Sequence, residues 1–250
     1  MRAVVELLAG ARRLVIFTGA GVSAESGIPT FRDALGGLWA RYDPAALATP
    51  AAFADDPALV WGWYEWRRLK VLGVQPNPAH RAIAALSGRI ADTRLVTQNV
   101  DDLHERAGSR DVLHLHGSLH APRCATCAAA YRDALPDSVE PEEGRRIEPP
   151  RCPACGGQVR PGVVWFGEAL PEAALREAFA AACECDLLLS VGTSGVVQPA
   201  ARIPGLALEH GASVVHVNPQ PVRTCHPREH CLVGPAGEVL PELLRRAFPS

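Results

Sequence analysis

A chain of 250 residues, 48% of them hydrophobic, is long enough to bury a sizeable core, so we expect one large domain or a domain with an insertion. Its formal net charge of −2 disfavours a protein that binds nucleic acid directly by neutralising phosphates. The sequence has no apolar run long enough to cross a bilayer and no N-terminal segment organised like a signal peptide. We therefore expect no membrane association.

In the first third of the chain, short apolar runs alternate with helical patterns. An amphipathic helix is expected over residues 2–11, followed by a buried strand over 14–17 and a Gly-rich loop that begins at Gly19. The stretch 37–75 is rich in Trp, Tyr and Ala and contains several prolines, and we interpret it as a small helical module. A helix over 80–86 follows.

Further strands and helices are predicted along the rest of the chain. The strands are expected over 94–97, 112–115, 186–191, 214–217 and 231–233, and the helices over 102–107, 172–183 and 241–248. Short apolar strands separated by helical patterns are typical of a parallel sheet. The sequence therefore predicts an α/β fold.

Residues 119–160 interrupt this alternation and carry two C-x-x-C pairs, Cys124 with Cys127 and Cys152 with Cys155. Four thiolates in two such pairs suit a tetrahedral zinc ion, and a shell closed by cysteines leaves no position for water, so we expect one structural zinc. Disulfides or free thiols are the alternative. The paired spacing does not resemble a secreted disulfide framework, so we expect a reducing, cytoplasmic compartment.

The predicted strands end in polar or Gly-rich residues, such as Gly19, Asn99, His116, Thr193 and Asn218. Open parallel sheets bind ligands outside the carboxyl ends of their strands, so these residues together predict a nucleotide site. The loop GAGVSAESGIPTFR offers backbone N–H groups to a phosphate, although it lacks the G-x-G-x-x-G spacing and a structural turn remains the alternative. A histidine at such a strand end is placed for a general base.

The motifs GAGVSAESGIPTFR, TQNVDDLHERAG, LHLHGS, the two C-x-x-C pairs, PGVVWFGE, VGTS and a late Asn218 occur in the order in which they occur in sirtuins. They extend from Gly19 to Ala236, and the sequence most resembles the class III branch of that family, which includes bacterial and mitochondrial deacylases. The resemblance implies an NAD-dependent protein lysine deacylase.

The resemblance also implies the architecture. A Rossmann-like parallel sheet with helices on both faces would form a large domain from residues 1–36, 76–118 and 161–250. A small lobe would consist of the helical module, 37–75, and a zinc-binding module, 119–160. Acyl-lysine and NAD would enter between the two parts from opposite sides.

Carried over by motif, the resemblance assigns a set of residues to the NAD site: Gly19, Ala20, Gly21, Thr30, Phe31, Arg32, Gln98, Asn99, Val100, Asp101, Gly192, Thr193, Ser194, Asn218, Pro219, Gln220 and Ala236. His116, Asn99 and Asp101 would be catalytic, His116 as the general base and the other two by holding the nicotinamide ribose and carboxamide. Gln220 stands where relatives often carry an acidic residue that can hold the adenosine ribose. A glutamine can still form a hydrogen bond with a hydroxyl.

The substrate residues follow from two further motifs. Val163, Val164, Trp165, Phe166 and Gly167 would pair with an acyl-lysine protein substrate as an added strand, a mode that tolerates different side chains.

Tyr64 and Arg67 are three positions apart and share a helix face. In class III sirtuins such a pair faces the acyl pocket, where the arginine can bind a carboxylate through two hydrogen bonds and the tyrosine adds a donor. Succinyl, malonyl and glutaryl groups are therefore expected to bind better than acetyl. A surface arginine beside a packed tyrosine is the alternative, and Arg68 is expected to be exposed.

The resemblance implies that the amide oxygen of the substrate attacks C1′ of the nicotinamide ribose and that NAD is consumed as a co-substrate. The products would be nicotinamide, O-acyl-ADP-ribose and free lysine. Mono-ADP-ribosyl transfer at the same site and a non-catalytic NAD-sensing module are the alternatives. The absence of the G-x-G-x-x-G spacing disfavours a dehydrogenase. We expect a monomer.

Overall fold

The computed structural model describes residues 1–29, 42–135 and 145–249. In these ranges the strands are β1 (Arg13–Thr18), β2 (Asp92–Thr97), β3 (Leu113–His114), β4 (Gly117–Cys124), β5 (Val159–Val163), β6 (Leu187–Val191), β7 (Ser213–Asn218) and β8 (Glu229–Val233). The helices are α1 (Arg2–Gly10), α2 (Gly21–Ala24), α3 (Pro44–Leu47), α4 (Pro50–Asp55), α5 (Pro57–Gly73), α6 (Pro78–Ser87), α7 (Leu103–Arg106), α8 (Glu172–Glu184), α9 (Ile203–Glu209) and α10 (Ala236–Ala247). None of these helices is long and apolar enough to cross a bilayer.

In the described part of the chain, six parallel strands form the main sheet in the order β3-β2-β1-β6-β7-β8. From β1 the chain adds β2 and β3 on one side and then returns to add β6, β7 and β8 on the other. The strand order therefore reverses between β1 and β6, which is where open α/β sheets bind nucleotides. The predicted α/β fold with a parallel sheet is confirmed.

The central strand β1 shows why helices cover both faces of this sheet. Leu14 and Ile16 point into a core with α1, α6 and α10, whereas Val15 and Phe17 point into a second core with α8 and α9. All four side chains are almost fully buried. Successive residues of a strand face opposite sides, so an uninterrupted apolar run is what a sheet covered on both faces requires.

A third core lies beside the main sheet and joins α3, α4 and α5 to the antiparallel pair β4–β5. Its helices begin at Pro44, Pro50 and Pro57, each directly after an Asp or Thr whose side chain accepts a hydrogen bond from the first turn. Proline suits the first position of a helix, where its missing N–H has no partner to lose. These prolines separate three helices instead of interrupting one.

Two helices differ from the prediction. The last helix, α10, begins at Ala236, five residues before the expected start, and contains Pro241 in its interior. Its first turn is held by Glu25, whose carboxylate accepts a hydrogen bond from the N–H of Gly237 at 2.9 Å. Helix α9 was not predicted, because a proline and a glycine in its first turn conceal a helix that buries Ile203 and Ala207.

Candidate active site and metal centre

A cavity of about 470 Å³ lies at the carboxyl ends of the central strands and extends to α5 and to the segment that follows β5. Its volume is within the range of small-molecule sites in proteins. Most of the predicted site residues line it: Gly19, Ala20, Gly21, Tyr64, Arg67, Gln98, Asn99, Val100, Asp101, His116, Val163, Val164, Trp165, Phe166, Gly167, Gly192, Thr193, Ser194, Asn218 and Pro219. The structure thus brings the proposed nucleotide and acyl residues into one space.

The remaining predicted residues do not line the cavity or cannot be placed. Gln220 is exposed in the β7–β8 loop, and Ala236 is buried at the start of α10. Thr30, Phe31 and Arg32 lie outside the described residues. The cavity is also lined by residues that the sequence did not single out: Ser23, Ile28, Pro29, Ala48, Trp63, Glu168, Leu170, Val197 and Gln198. Of these, Ser23, Ile28 and Pro29 belong to the Gly-rich stretch. The prediction that this stretch binds a ligand was the sequence signal that could have identified them.

Two glycine loops meet backbone to backbone at the point where the strand order reverses. The N–H of Gly21 donates to the carbonyl of Gly192 at 3.0 Å, and a Cβ on Gly21 would lie 2.8 Å from Gly192 Cα. Gly192 itself has a φ of 62°. A side chain at either position would clash or be strained, so glycine is what allows the loops to bring bare backbone to the cavity.

The hydrogen bond of His116 determines which of its two ring nitrogens carries the proton. Its Nδ1 lies 3.0 Å from the carbonyl oxygen of Gln98, and because a carbonyl only accepts, Nδ1 carries the proton and donates it. The other ring nitrogen, Nε2, is then unprotonated in the neutral ring. Burial lowers the pKa of His116, against an opposing effect of the bond to Gln98. The imidazole is therefore neutral at pH 7 and able to accept a proton.

His114, two residues earlier, has the opposite character. Its Nδ1 lies 3.1 Å from the carbonyl of Asn99 and its Nε2 lies 2.7 Å from the Glu105 carboxylate. Both partners accept, so the ring carries two protons, and although burial opposes this, the bonds to Glu105 and Asn99 raise the pKa of His114. A charged His114 holds the segment after β2 in place, which leaves His116 as the neutral histidine of the pair.

A chain of hydrogen bonds fixes Asn99 and Asp101. The Asn99 amide donates to Ser23 Oγ at 3.1 Å, and this hydroxyl donates to Asp101 Oδ2 at 3.0 Å. The other Asp101 oxygen accepts from the N–H of Leu103 at 3.1 Å. Burial raises the pKa of Asp101, while these bonds counteract the rise. One serine of the Gly-rich stretch therefore fixes both candidate site residues in the loop after β2.

Tyr64 and Arg67 occupy the wall of the cavity formed by α5. The Tyr64 hydroxyl accepts a hydrogen bond from Trp165 Nε1 at 3.1 Å. The Arg67 guanidinium lies 5.2 Å from the centre of the Trp63 ring, and it has no hydrogen bond or ion pair with any described residue. Desolvation lowers the pKa of Arg67, although Tyr64 and Asp101 favour its charge. The cavity thus contains a cation without an anionic partner among the described residues.

The expectation that Arg68 is exposed was wrong. Its side chain is buried and pairs with Glu65, one turn earlier, at 3.0 Å. Because Glu65 neutralises the guanidinium, α5 can bury this charge, whereas burial of an unpaired arginine would carry a large desolvation penalty. Within the described part of the chain, Arg68 thus has an acidic partner one turn away and Arg67 has none.

The four predicted metal ligands converge at the far end of β4–β5. The sulfur atoms of Cys124, Cys127, Cys152 and Cys155 all lie within 4.8 Å of one another. Two of these separations join the two C-x-x-C pairs, 3.5 Å from Cys124 to Cys155 and 3.8 Å from Cys127 to Cys152. A tetrahedral ion with metal–sulfur bonds of about 2.3 Å requires sulfur separations near 3.8 Å, so the cluster fits zinc.

The thiols are free, which disfavours the disulfide alternative. Backbone N–H groups of Cys127 and Thr126 point at Cys124 Sγ and lower its pKa to about 6. Thiolates are the form that binds metal. Since four cysteines complete a tetrahedral shell, a zinc ion held here would crosslink the two ends of the insertion and would offer no open position to a substrate.

A comparison with family models matches residues 19–199 to the Sir2 family. The chain belongs to the Sir2 family. It is 99% identical over 250 residues, all of both chains, to a Pseudomonas aeruginosa protein named NAD-dependent protein deacylase 1.

Solved structures agree with this assignment. This Sir2 family member is similar to a Sir2 homologue crystallised with NAD, with 46% identity, a TM-score of 0.85 and coverage of 99% of this chain and 93% of the other. It is also similar to Sir2Af2 bound to a myristoylated histone peptide, with 35% identity, a TM-score of 0.72 and coverage of 98% and 95%. The predicted family is thereby confirmed.

Two buried histidines behind the site predict how the stability of this Sir2 protein depends on pH. Burial lowers the pKa of His80 to about 4 and that of His104 to about 3, whereas in an unfolded chain histidines titrate near 6.5. Between these values the unfolded chain binds more protons, so stability is lost as the pH falls from about 7 to 5, by roughly 2 kcal/mol per histidine. Urea unfolding at the two pH values measures the loss.

A His104→Gln variant provides the comparison, because one of the two titrating groups is then absent. Its unfolding free energy should depend on pH less steeply than that of the wild type, by about 2 kcal/mol between pH 7 and 5. Equal losses in the two proteins would contradict the assignment of a depressed pKa to His104.

Proposed function

We propose that this protein removes acyl groups from lysine side chains of proteins in an NAD-dependent reaction, and that succinyl- and malonyl-lysine are better substrates than acetyl-lysine. The observation that carries the acyl preference is the Arg67 guanidinium, which lines the same cavity as His116 and has no anionic partner among the described residues. Membership of the Sir2 family and the names of its relatives support the general activity.

The nucleotide end of the proposed site uses the loops after β1, β2 and β6. Gly19 to Gly21 would approach the pyrophosphate with bare backbone, and Thr193 and Ser194 would contact the same ligand from β6. Asn99 and Asp101 would hold the nicotinamide end, since Ser23 fixes both side chains. When bound, NAD supplies the ribose that accepts the acyl group.

His116 would act as the general base. Its Nδ1 proton is committed to Gln98, so Nε2 is free to take a proton from a sugar hydroxyl at neutral pH. This chain needs no serine or cysteine nucleophile, because the reaction begins with the amide oxygen of the substrate. The work of the described residues is to orient the reactants and to hold one proton.

The acyl-lysine would enter beside the segment that follows β5. Val163 to Gly167 line the cavity, and Phe166 is 47% exposed at its mouth, so a substrate peptide could pair there as an added strand. Arg67 would bind the terminal carboxylate of the acyl group and Tyr64 would donate a further hydrogen bond. An acetyl group would leave the guanidinium unpaired but is small enough to fit, so weaker deacetylation is included in the proposal.

We extend the proposal to the domain division, with a large domain of residues 1–36, 76–118 and 161–250 and a small lobe of 37–75 and 119–160. It is supported by the separate core that α3, α4 and α5 share with Leu119, Val163 and Trp165. A monomeric state and a cytoplasmic location remain predictions of the sequence.

Substitution of Arg67 by methionine tests the proposed acyl preference. The change removes the cation and keeps an apolar stem, so kcat/KM for a succinyl-lysine peptide should fall about 100-fold, as expected from the loss of hydrogen bonds to a charged group. For the acetyl-lysine version of the same peptide, the change should stay within about threefold, since no carboxylate is lost. Release of deacylated peptide in the presence of NAD measures both rates.

Arg176→Met is the matched control, because Arg176 is an exposed arginine on α8 whose pairing with Glu172 is at the surface. It should leave both rates unchanged. If Arg67→Met retains the wild-type rate on succinyl peptide, the proposed acyl pocket is wrong. If labelled NAD is incorporated into protein and no O-acyl-ADP-ribose is formed, the deacylase activity itself is replaced by mono-ADP-ribosyl transfer.

A further inference from the structure

Trp165 connects Tyr64, in the proposed acyl pocket, to a partly buried ion pair through two separate hydrogen bonds. Its indole Nε1 donates to the Tyr64 hydroxyl at 3.1 Å, and its backbone N–H donates to Glu168 Oε2 at 2.8 Å. The residue lies two positions after the end of β5 and is almost fully buried. The indole therefore contacts Tyr64, whereas we propose that the substrate peptide pairs with the backbone of this segment.

The direction of the indole bond determines what the Tyr64 hydroxyl can do. A phenol has one proton to donate, and an indole N–H only donates, so Trp165 can fill an acceptor position on the oxygen and cannot take the proton. No described residue accepts the hydroxyl proton of Tyr64. Burial also raises the pKa of Tyr64, so the proton is retained. It is thus available to a ligand in the cavity.

The indole ring is held by an ion pair on one of its faces. The Arg160 guanidinium lies 3.4 Å from the centre of the Trp165 ring and makes two hydrogen bonds to Glu168, at 2.5 and 2.9 Å. The same guanidinium donates to the carbonyl of Val163 at 3.1 Å. Phe53 contacts the ring as well, with 5.3 Å between ring centres.

This pairing also affects the charge of the cavity wall. Glu168 lines the cavity, and although burial opposes its ionisation, the bonds from Arg160 and from the N–H of Trp165 hold the pKa of this carboxyl below its ordinary value. The carboxylate is ionised but satisfied. Arg160 therefore keeps a negative group near the acyl pocket from repelling an acidic acyl chain, while it fixes the ring that contacts Tyr64.

We propose that Trp165 is a specificity-determining positioning residue, which turns the hydroxyl proton of Tyr64 toward the carboxylate of an acyl group and is itself held by the Arg160–Glu168 pair. The inference rests on the proposed preference for acidic acyl groups. In this proposal Arg67 and Tyr64 contact the acyl carboxylate directly. The indole, which lies behind the tyrosine, contributes to the discrimination between acidic and neutral acyl groups by orienting Tyr64.

Trp165→Phe removes the indole N–H and retains an aromatic ring on Arg160. The ratio of the KM for a succinyl-lysine peptide to the KM for its acetyl version should rise about five- to tenfold, the effect of one misdirected hydrogen bond. The Tyr64→Phe background separates this effect from packing. In that background Trp165→Phe should not change the ratio of succinyl to acetyl KM any further, because no hydroxyl remains to be turned.

The contact has a spectroscopic readout that does not depend on acyl turnover. The protein has five tryptophans, and in protein labelled with ¹⁵N-tryptophan the indole resonance that disappears in Trp165→Phe identifies Trp165. Tyr64→Phe should shift this resonance. An unshifted resonance, or changes in the KM ratio that add in the double variant, would overturn the role of Trp165.

Failure of the underlying function gives a different result. If the wild type shows no preference for succinyl peptide and Arg67→Met has no effect on its rate, the proposed acyl specificity is wrong. The proposed role of Trp165 is then wrong as well. If Arg67→Met abolishes the preference while the two aromatic substitutions act additively, only the role of Trp165 is wrong.

Discussion

His116→Ala is expected to lower kcat/KM for deacylation by about three orders of magnitude, the middle of the range that one general base contributes. The substitution removes Nε2 and also the bond to Gln98, but it leaves the glycine loops and the Ser23 network intact. NAD affinity, measured by calorimetry, should therefore change little while turnover is lost.

The control for this substitution is His210→Ala. His210 is exposed at the end of α9, its ring contacts only the carbonyl of Leu206 among the described residues, and it does not line the cavity. Its activity should equal that of the wild type. A His116→Ala protein that turns over normally would exclude the proposed base. A biological function retained in full by inactive His116→Tyr would favour the NAD-sensing alternative.

The pH profile gives a second readout of the same residue. Because burial lowers the pKa of His116, its neutral form should persist below the ordinary histidine pKa of about 6.5. The pH at which kcat/KM declines on the acid side should therefore lie below that value. An acid-side decline of kcat/KM centred well above pH 7 would indicate that another group, such as His114, is the one that titrates.

Loss of the metal is expected to have the largest effect on stability. Zinc bound by four thiolates contributes roughly 10 kcal/mol of folding free energy in small domains, so Cys152→Ser should release the ion and lower the midpoint of thermal unfolding by more than about 10 °C. Metal content by mass spectrometry and thermal unfolding measure the two consequences. The same loss should follow treatment of the wild type with a strong chelator.

Cys225→Ser is the matched control, because Cys225 is exposed and lies outside the cluster. It should keep one zinc per chain and the wild-type midpoint. Full zinc content in Cys152→Ser would show that the four sulfur atoms are not the ligand set. Activity should fall with the metal, because β4 runs from Gly117, beside His116, to Cys124.

The sequence was most informative where a chemical requirement is local. A buried strand covered on both faces must be apolar throughout, and a zinc knuckle must place two thiols three positions apart, so β1 and the four cysteines could be predicted without coordinates. The strand ends were predictable for the same reason, because parallel strands place their carboxyl ends on one edge of the sheet.

The features that were missed depend on partners distant in sequence. The start of α10 is fixed by Glu25, more than two hundred positions away. The bond from Trp165 to Tyr64 likewise joins two segments that no local pattern relates. Periodicity reports which face of a helix is apolar and says nothing of such contacts.

The reversal of strand order has a consequence for how the protein matures. The two glycine loops that face each other, at Gly21 and Gly192, are separated by more than half the chain, so the nucleotide cavity cannot exist before β6 has docked against β1. A ribosome-bound chain that has completed only the first strands would carry the full Gly-rich motif and still lack a binding site. Acquisition of NAD affinity should therefore require the docking of β6 against β1, which makes the dinucleotide a reporter of that step of folding.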